Sequence, residues 1–296
     1  MATCDAGSAA AIVFATVVFP EPVPPAMPTT SEVIGPLNTT KSRDALLYPR
    51  SQARSPLVTA EAATTIRSVT PAPTSSAPAA RRAALFDMDR TLLRRESASL
   101  YVRYQRDIGE ATLRDLVTML YWVGRYTLGI LDASKVAEKA MLTVRGMPET
   151  VLAARCDDWF SRYVEPHIAD AGREAVLRHQ AAGDLCAIVT GTSPYASRPL
   201  AQRLRIEHVV STVFEVGADR CFTGRPEMPI CLGDGKVRRA EALGRRLGFR
   251  LEDATFYTDS VSDLPLLERV AVPVAVNPDP RLKRIAAQRG YRIERW

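Results

Sequence analysis

The sequence predicts an α/β protein: a mostly parallel sheet covered on both faces by helices. Three observations carry this. From about residue 170 onward short apolar runs alternate with helical stretches. Three apolar runs, at 83–86, 185–189 and 254–257, each stop abruptly at polar residues. The long interval between the first of these runs and the second reads as helix throughout, without a competing strand pattern.

Taken in order, residues 1–80 stand apart. They hold about half of the prolines and many Ala, Ser and Thr, with little periodicity. Such a stretch buries too little apolar surface to offset its chain entropy, and is expected to be disordered or loosely ordered. The run 9–18 has the length of a secretory signal core, but Asp5 is the only charge before it and Pro20, Pro22, Pro24 and Pro25 follow. A cleaved signal and a mis-assigned start upstream of the true one are both readings of this end.

Residues 83–86 (Ala-Ala-Leu-Phe) read as a fully buried strand, followed by Asp87-Met88-Asp89-Arg90-Thr91. Ser97 is the expected N-cap of a helix over 98–107. The stretch 113–131 is strongly apolar and close to membrane-span length. Arg114, Asp115 and Arg125 interrupt it, so a packed cap helix is expected instead of stable membrane insertion; contact with a lipid surface or a greasy substrate is the alternative. Helices are expected over 134–145 and 148–164, with Pro148 in a first turn. Helix 171–182 stops at Gly183, and strand 185–189 runs into Thr190-Gly191-Thr192-Ser193-Pro194. A helix to about 204, a weaker strand over 209–215 and a turn at Phe222-Thr223-Gly224 follow. Gly233-Asp234-Gly235-Lys236 opens a basic helix to about 247. Strand 254–257 ends at Thr258-Asp259-Ser260-Val261-Ser262-Asp263, and strand 271–276 and helix 280–288 complete the pattern. No internal repeat is visible.

The bulk numbers fit one large or two medium soluble domains: 296 residues, 46% hydrophobic and 24% charged. The net charge is +6. Residues 1–80 cancel, five basic side chains against five acidic, so the whole excess lies in 81–296. A basic surface suits an anionic substrate. No Lys/Arg run interleaved with aromatics points to nucleic acid. Cys4, Cys156, Cys186, Cys221 and Cys231 are scattered and form no Cys-x-x-Cys pair. This argues against a disulfide framework or a zinc site and fits a reducing, cytoplasmic location.

Parallel strands bring their carboxyl ends to one edge of a sheet. Asp87/Asp89, Thr190 and Asp259/Asp263 therefore gather there, with Lys236 at the start of a Gly-flanked helix. Read chemically, the set is complete for phosphoryl transfer. Asp87 can attack phosphorus as a carboxylate nucleophile, giving an aspartyl-phosphate. Asp89 can protonate the leaving oxygen and later take a proton from water. Clustered acids repel one another unless a cation is present, so Asp87 and Asp259 point to a hard divalent ion, most simply Mg²⁺. Thr190 and the amides of its turn, Gly191 included, can donate to phosphate oxygens, and Lys236 supplies a point charge. His167, His179 and His208 are dispersed and read as structural or exposed.

These residues resemble the haloacid dehalogenase superfamily, subfamily IB, which is similar to phosphoserine phosphatase. Four motifs stand in order: Asp87-x-Asp89-x-Thr91, Thr190, Lys236, and Asp259-Ser-Val-Ser-Asp263. The resemblance covers 83–295. It implies a Rossmann-like core, 81–97 and 171–296, with an inserted helical cap, 98–170. It implies Mg²⁺ held by the Asp87 side chain, the Asp89 backbone carbonyl and the Asp259 side chain, with Thr91 and Asp263 standing behind the reacting groups and Asp263 orienting the lysine. It places Glu96 where phosphoserine phosphatases hold a substrate amine; an exposed helix-start glutamate is the other reading. Lys135, Lys139 and Arg145 are candidates for the cap residue that grips a substrate carboxylate, and Ser262 stands where those enzymes carry Asn. The dehalogenases of the superfamily lack the second aspartate, so Asp89 argues against that chemistry.

The expected activity is hydrolysis of a small phosphomonoester such as phosphoserine. The alternatives are a lipid or lysophospholipid phosphatase, a phosphotransferase, and a catalytically silent phosphate-binding protein. The sequence leaves the oligomeric state open.

Overall fold

Four consecutive apolar residues suit a parallel strand covered on both faces, and strand β1 (Ala83–Phe86) is fully buried. The structure, a computed structural model, describes residues 81–109, 141–142 and 144–296. On one side β1 pairs in parallel with β2 (Leu185–Val189), which pairs with β3 (His208–Val210). On its other side lies β6 (Ala254–Thr258), followed by β7 (Val272–Val276) and β8 (Arg292–Glu294), again all parallel. The order is β3-β2-β1-β6-β7-β8, the Rossmann-like arrangement expected. Connections from β1 run one way across the sheet and those from β6 run the other. The chain directions diverge between β1 and β6, where open α/β sheets form their ligand crevice.

Alternate strand residues feed two cores. Ala84, Phe86, Ile188 and Tyr257 face one layer, where Ala175 and Val176 of α3 (Asp170–Ala181) and Leu200 of α4 (Pro194–Arg203) cover them. Leu85, Ala187, Phe256 and Ala275 face the other layer. There they meet Val237, Ala240 and Leu243 of α5 (Asp234–Leu247), Leu266 of α6 (Leu264–Leu267), and Leu282 and Ala286 of α7 (Pro280–Arg289).

Between β1 and β2 the described chain is helical: α1 (Ser97–Asp107) and α2 (Glu149–Trp159), the latter continued by a wider turn over Phe160–Val164. Aromatic edges join them, Tyr101 to Trp159 and Tyr104 to Tyr163, each with centroids 5.5 Å apart. The two crossings between this segment and the sheet run side by side. The Arg94 amide donates to the His167 carbonyl at 2.8 Å, and the Ala169 amide to the Leu92 carbonyl at 2.9 Å.

Two expectations need correction. The strand read over 209–215 is two strands in different sheets: β3 ends at Val210, and β4 (Phe214–Val216) pairs antiparallel with β5 (Phe222–Pro226). Between them the Thr212 amide donates to the Thr192 carbonyl, and the Thr212 hydroxyl accepts from the Cys231 amide at 3.0 Å, which draws the chain out of the parallel sheet. Phe222-Thr223-Gly224 is accordingly strand, not turn. Burial of the Phe222 ring against Tyr195 and Phe214, with centroids at 5.5 and 5.6 Å, outweighs the glycine as a breaker. The returning chain adds to this hairpin, since the Phe222 amide donates to the Met147 carbonyl at 2.9 Å. The expectations for residues 1–80, for the apolar stretch 113–131 and for most of helix 134–145 lie outside the described residues. Among the described residues no helix is long and apolar enough to cross a membrane.

Candidate active site

Phe86 is level with Ile188 and Tyr257 in the ladder, so Asp87, Thr190 and Asp259 leave the sheet within one residue of each other. The Asp87 amide still donates to the Tyr257 carbonyl at 2.8 Å and extends the β1–β6 pairing by one residue. The chain then closes a tight turn, with the Leu93 amide bonded to the Met88 carbonyl at 2.9 Å. Arg90 sits at its apex with φ 53, a left-handed conformation that a non-glycine residue adopts only when its surroundings impose it. One such constraint is Asn277, after β7, whose side-chain amide donates to the Arg90 carbonyl at 3.2 Å.

Lys236 is 2% exposed, and its ammonium donates to Asp87 Oδ1 at 2.9 Å and Asp263 Oδ2 at 2.6 Å. Asp263 also accepts from the Thr258 hydroxyl at 2.7 Å. Burial alone would lower the lysine pKa; the Asp263 and Asp87 carboxylates outweigh it and hold the group above the usual lysine range. The start of α5 is pinned from below. A Cβ on Gly235 would stand 1.9 Å from the Ile230 carbonyl oxygen, so only glycine fits there, and Lys236 follows directly.

Asp89 is seated on the N-terminus of α1, where unpaired amides favour a carboxylate. Its Oδ1 accepts from the Ser97 amide at 2.6 Å and its Oδ2 from the Ser97 hydroxyl at 2.9 Å. This corrects the reading of Ser97: Glu96 occupies the cap position and Ser97 is the first helical residue, its hydroxyl turned to Asp89. The signal in the sequence is a serine at a helix start just after the acid loop, which locally points to the helix alone.

The acids carry the mark of their crowding. Burial, opposed by Lys236, leaves Asp87 pushed up to about 6. Burial and the Asp87 charge push Asp89 up to about 7. Burial and Asp87 hold Asp259 well above the usual carboxylate range, with Arg90 pulling the other way from 3.3 Å. Among the described residues no three His, Cys, Asp or Glu side chains converge as a metal cage; the Asp89 carboxylate is bound to Ser97.

Thr190 is buried, and its amide donates to the Val210 carbonyl at 2.9 Å. Its hydroxyl accepts from the Thr192 amide at 3.3 Å. Gly191 lies so close to Leu232 that a Cβ would come within 2.6 Å of Cδ2. The turn approaches the acid loop through Thr192, whose hydroxyl lies 3.8 Å from Met88 Sδ. Thr91 is fully buried behind the loop, its hydroxyl without a hydrogen-bond partner among the described residues. Glu96 stands at the rim, 3.8 Å from Arg90. Arg145 packs under β5 beside Gly224, whereas Lys135 and Lys139 lie outside the described residues.

Sequence reasoning missed Asp279. Its amide donates to the Asp259 carbonyl at 2.8 Å and its carboxylate accepts from the Val261 amide at 2.6 Å. The same side chain caps α7 through the Arg281 and Leu282 amides, and only that helix-cap signal is legible in Asp279-Pro280.

Comparison with known proteins identifies the family. The profile of haloacid dehalogenase-like hydrolases matches residues 84–268, which span every residue named above from Asp87 to Asp263. Phosphoserine phosphatase SerB1 of Mycobacterium tuberculosis is 32% identical over 234 residues, 75% of this chain and 76% of that protein. Histidinol-phosphatase of Neisseria meningitidis serogroup C is 28% identical over 215 residues, 71% of this chain and 96% of that protein. A crystal structure of a protein with unknown function from Bordetella pertussis Tohama I is 34% identical, with a TM-score of 0.65, covering 72% of this chain and 98% of its own. The chain therefore belongs to the haloacid dehalogenase-like hydrolases, and within them to the phosphatases.

Proposed function

We propose that the protein hydrolyses a small phosphomonoester of an amino alcohol, phosphoserine leading, with Asp87 as nucleophile. The observation that carries the reading is the Asp87–Lys236–Asp263 chain. Lys236 holds Asp87 Oδ1 at 2.9 Å, and the Met88 amide adds a hydrogen bond to the same carboxyl. A buried carboxylate held in place by a fixed ammonium is oriented for attack. Bond formation to phosphorus expels the alkoxide, which takes the proton of Asp89; Ser97 fixes that carboxyl in place. Asp89, now ionised, accepts a proton from water, and the hydroxide released from it cleaves the aspartyl-phosphate. Lys236, Thr190 and the amides at Gly191 and Thr192 meet the phosphoryl oxygens.

The donor set fits Mg²⁺. Asp87 and Asp259 are hard, mutually repelling oxygen donors raised above their ordinary range, and these two carboxylates with the Asp89 carbonyl would hold the ion. When bound there the ion offsets the repulsion between nucleophile and phosphate. Helices α1 and α2 fit the role of the cap over 98–170, because the paired crossings at Leu92–Arg94 and His167–Ala169 form a narrow two-stranded hinge.

The substrate class rests on two relatives. Phosphoserine and histidinol phosphate, the compounds in their names, both place an amine two carbons from the ester oxygen. Glu96 at the rim supplies a counter-charge for it. The test is phosphate release from a panel of amino-acid, amino-alcohol, sugar, nucleotide and lipid monophosphates with and without Mg²⁺. Metal-dependent release with the amino-alcohol esters ranking first is expected. Preference for lipid phosphates would overturn the substrate class, and inactivity across the panel would favour a silent binder.

A further inference from the structure

The loop after β6 carries two acids of the site, Asp259 and Asp263. Asp263 is held by Lys236 at 2.6 Å. Asp259 stands among like charges from Asp87, Asp263 and Asp89, with Arg90 opposing them at 3.3 Å. The loop is largely closed on itself. The Ser260 amide donates to the Thr258 hydroxyl and the Ser262 amide to the Ser260 hydroxyl, both at 3.3 Å. The Asp263 amide donates to the Ser260 carbonyl at 3.2 Å. These bonds shape the loop, but they do not fix where Asp259 sits against acids that repel it.

Asp279 supplies an anchor from outside. It lies between β7 and α7 in Pro278-Asp279-Pro280, where a ring on either side restricts the backbone. Behind it α7 is seated on the sheet by Leu282 and Ala286, both fully buried. The Asp279 amide donates to the Asp259 carbonyl at 2.8 Å. Its carboxylate is divided between two elements. Oδ1 accepts from the Arg281 and Leu282 amides of α7 at 2.8 and 3.0 Å, and Oδ2 accepts from the Val261 amide at 2.6 Å. A helix cap needs only one side-chain oxygen. The other grips the loop, so the segment 259–261 is held at both ends by one residue at the exit of the neighbouring strand.

We infer that Asp279 is a positioning residue for the cation site: it fixes the segment that carries Asp259 and thereby sets the affinity for Mg²⁺ without touching the ion or the substrate. This rests on the metal-dependent phosphatase reading above and deepens it. Groups that orient a metal ligand from behind typically change metal affinity about 10–100-fold when they are removed.

The experiment titrates Mg²⁺ alone into the full chain by calorimetry, without substrate, and measures kcat separately across Mg²⁺ concentration. Asp279→Asn keeps one oxygen for the α7 amides and turns its NH₂ group toward the Val261 amide, donor against donor. Asp279→Ser keeps a capping oxygen on a side chain too short to serve both elements. Both variants should bind Mg²⁺ about tenfold more weakly than the wild type, with Tm in chelator close to the wild-type value and kcat recovered in excess Mg²⁺. Ala286→Gly, in the same helix but away from the loop, should lower Tm and leave the Mg²⁺ dissociation constant unchanged. An asparagine that turned its oxygen to Val261 would give up the cap, lower Tm and keep the affinity, so Asp279→Ser decides: wild-type Mg²⁺ affinity there overturns the assignment. So does an equal loss of affinity in Ala286→Gly, which would trace the effect to a loosened α7. A kcat that stays low in excess Mg²⁺ also overturns it, because Asp279 would then act on the reaction and not through the ion. Each of these leaves the phosphatase reading standing. A wild-type chain that neither binds Mg²⁺ nor needs it for turnover would remove the metal-dependent reading and this role with it.

Discussion

Lys236 serves two carboxylates with one ammonium, and all three groups are nearly free of solvent. Such a triad is costly to assemble and costlier to break, because removing one member leaves charge buried without a partner. The three members are not equivalent. Asp87→Asn removes a negative charge from a cluster with surplus acid and keeps the Lys236–Asp263 pair, so the fold should survive while turnover is lost entirely. Wild-type activity in that variant would refute the covalent mechanism. Lys236→Met strands both acids and should destabilise the protein by about 3–5 kcal/mol. Adding Asp263→Asn to it should recover part of that stability in denaturant titrations and none of the activity. Asp89→Asn should leave a phosphoenzyme that an acid quench with labelled substrate can trap, since the proton acceptor for the second step is gone. At this scale the sequence was most informative about residues whose chemistry is rare at a strand end: Asp87, Asp89, Lys236 and Asp259 all arrive at one edge. It was silent where a common residue acquires its role from a distant neighbour. Ser97 reads as an ordinary helix cap, and Asp279 as another; their bonds to Asp89 and to the Asp259 loop depend on tertiary placement alone.

The elements hold the site through their ends. Helix α5 delivers Lys236 one residue after Gly235, whose α-carbon faces the Ile230 carbonyl at a distance that excludes a side chain. Gly235→Ala must therefore push α5 away from the 229–231 strand of chain. We expect a loss of about 1–3 kcal/mol in stability, as for other overpacked sites, together with a fall in kcat larger than the change in KM, because the ammonium moves relative to Asp87. A variant with unchanged Tm and kcat would show that the helix start tolerates displacement. Strands β1, β2, β6 and β7 were legible because continuous apolar runs of strand length have few other homes. The short, half-exposed strands were not. β8 is three residues with an Arg, an Ile and a Glu, and β4 and β5 take their shape from Phe214 and Phe222 packing on Tyr195 instead of from any local period. A glycine in Phe222–Pro226 signals a turn to any local reading, and only the partner strand overrides it.

Across the whole molecule the acid cluster ties stability to pH and to metal. Asp87 and Asp89 are both raised from 3.8, to about 6 and about 7, by burial before any other cause. A carboxyl whose folded pKa lies above its unfolded one binds its proton more tightly in the native state, so between those values the native state holds more protons than the unfolded one. Stability then falls as pH rises through that window. In the metal-free protein the loss should run from about pH 4 to about pH 7 and level off above, an effect on the order of a few kcal/mol that opposes the usual acid destabilisation from surface ion pairs. A divalent cation reverses the sense, because it binds the ionised carboxylates, stabilises the native state by mass action and does so more strongly as pH rises. Scanning calorimetry between pH 5 and pH 8 should therefore show Tm declining with pH in chelator and flat or rising in saturating Mg²⁺, with the two curves diverging most at the alkaline end. Asp89→Asn should remove part of the decline seen in chelator, since it deletes a carboxyl that burial holds at about 7. Parallel curves with and without the ion would mean that the acids at this edge never share a cation, and the assignment of Asp87 and Asp259 as its ligands would fall.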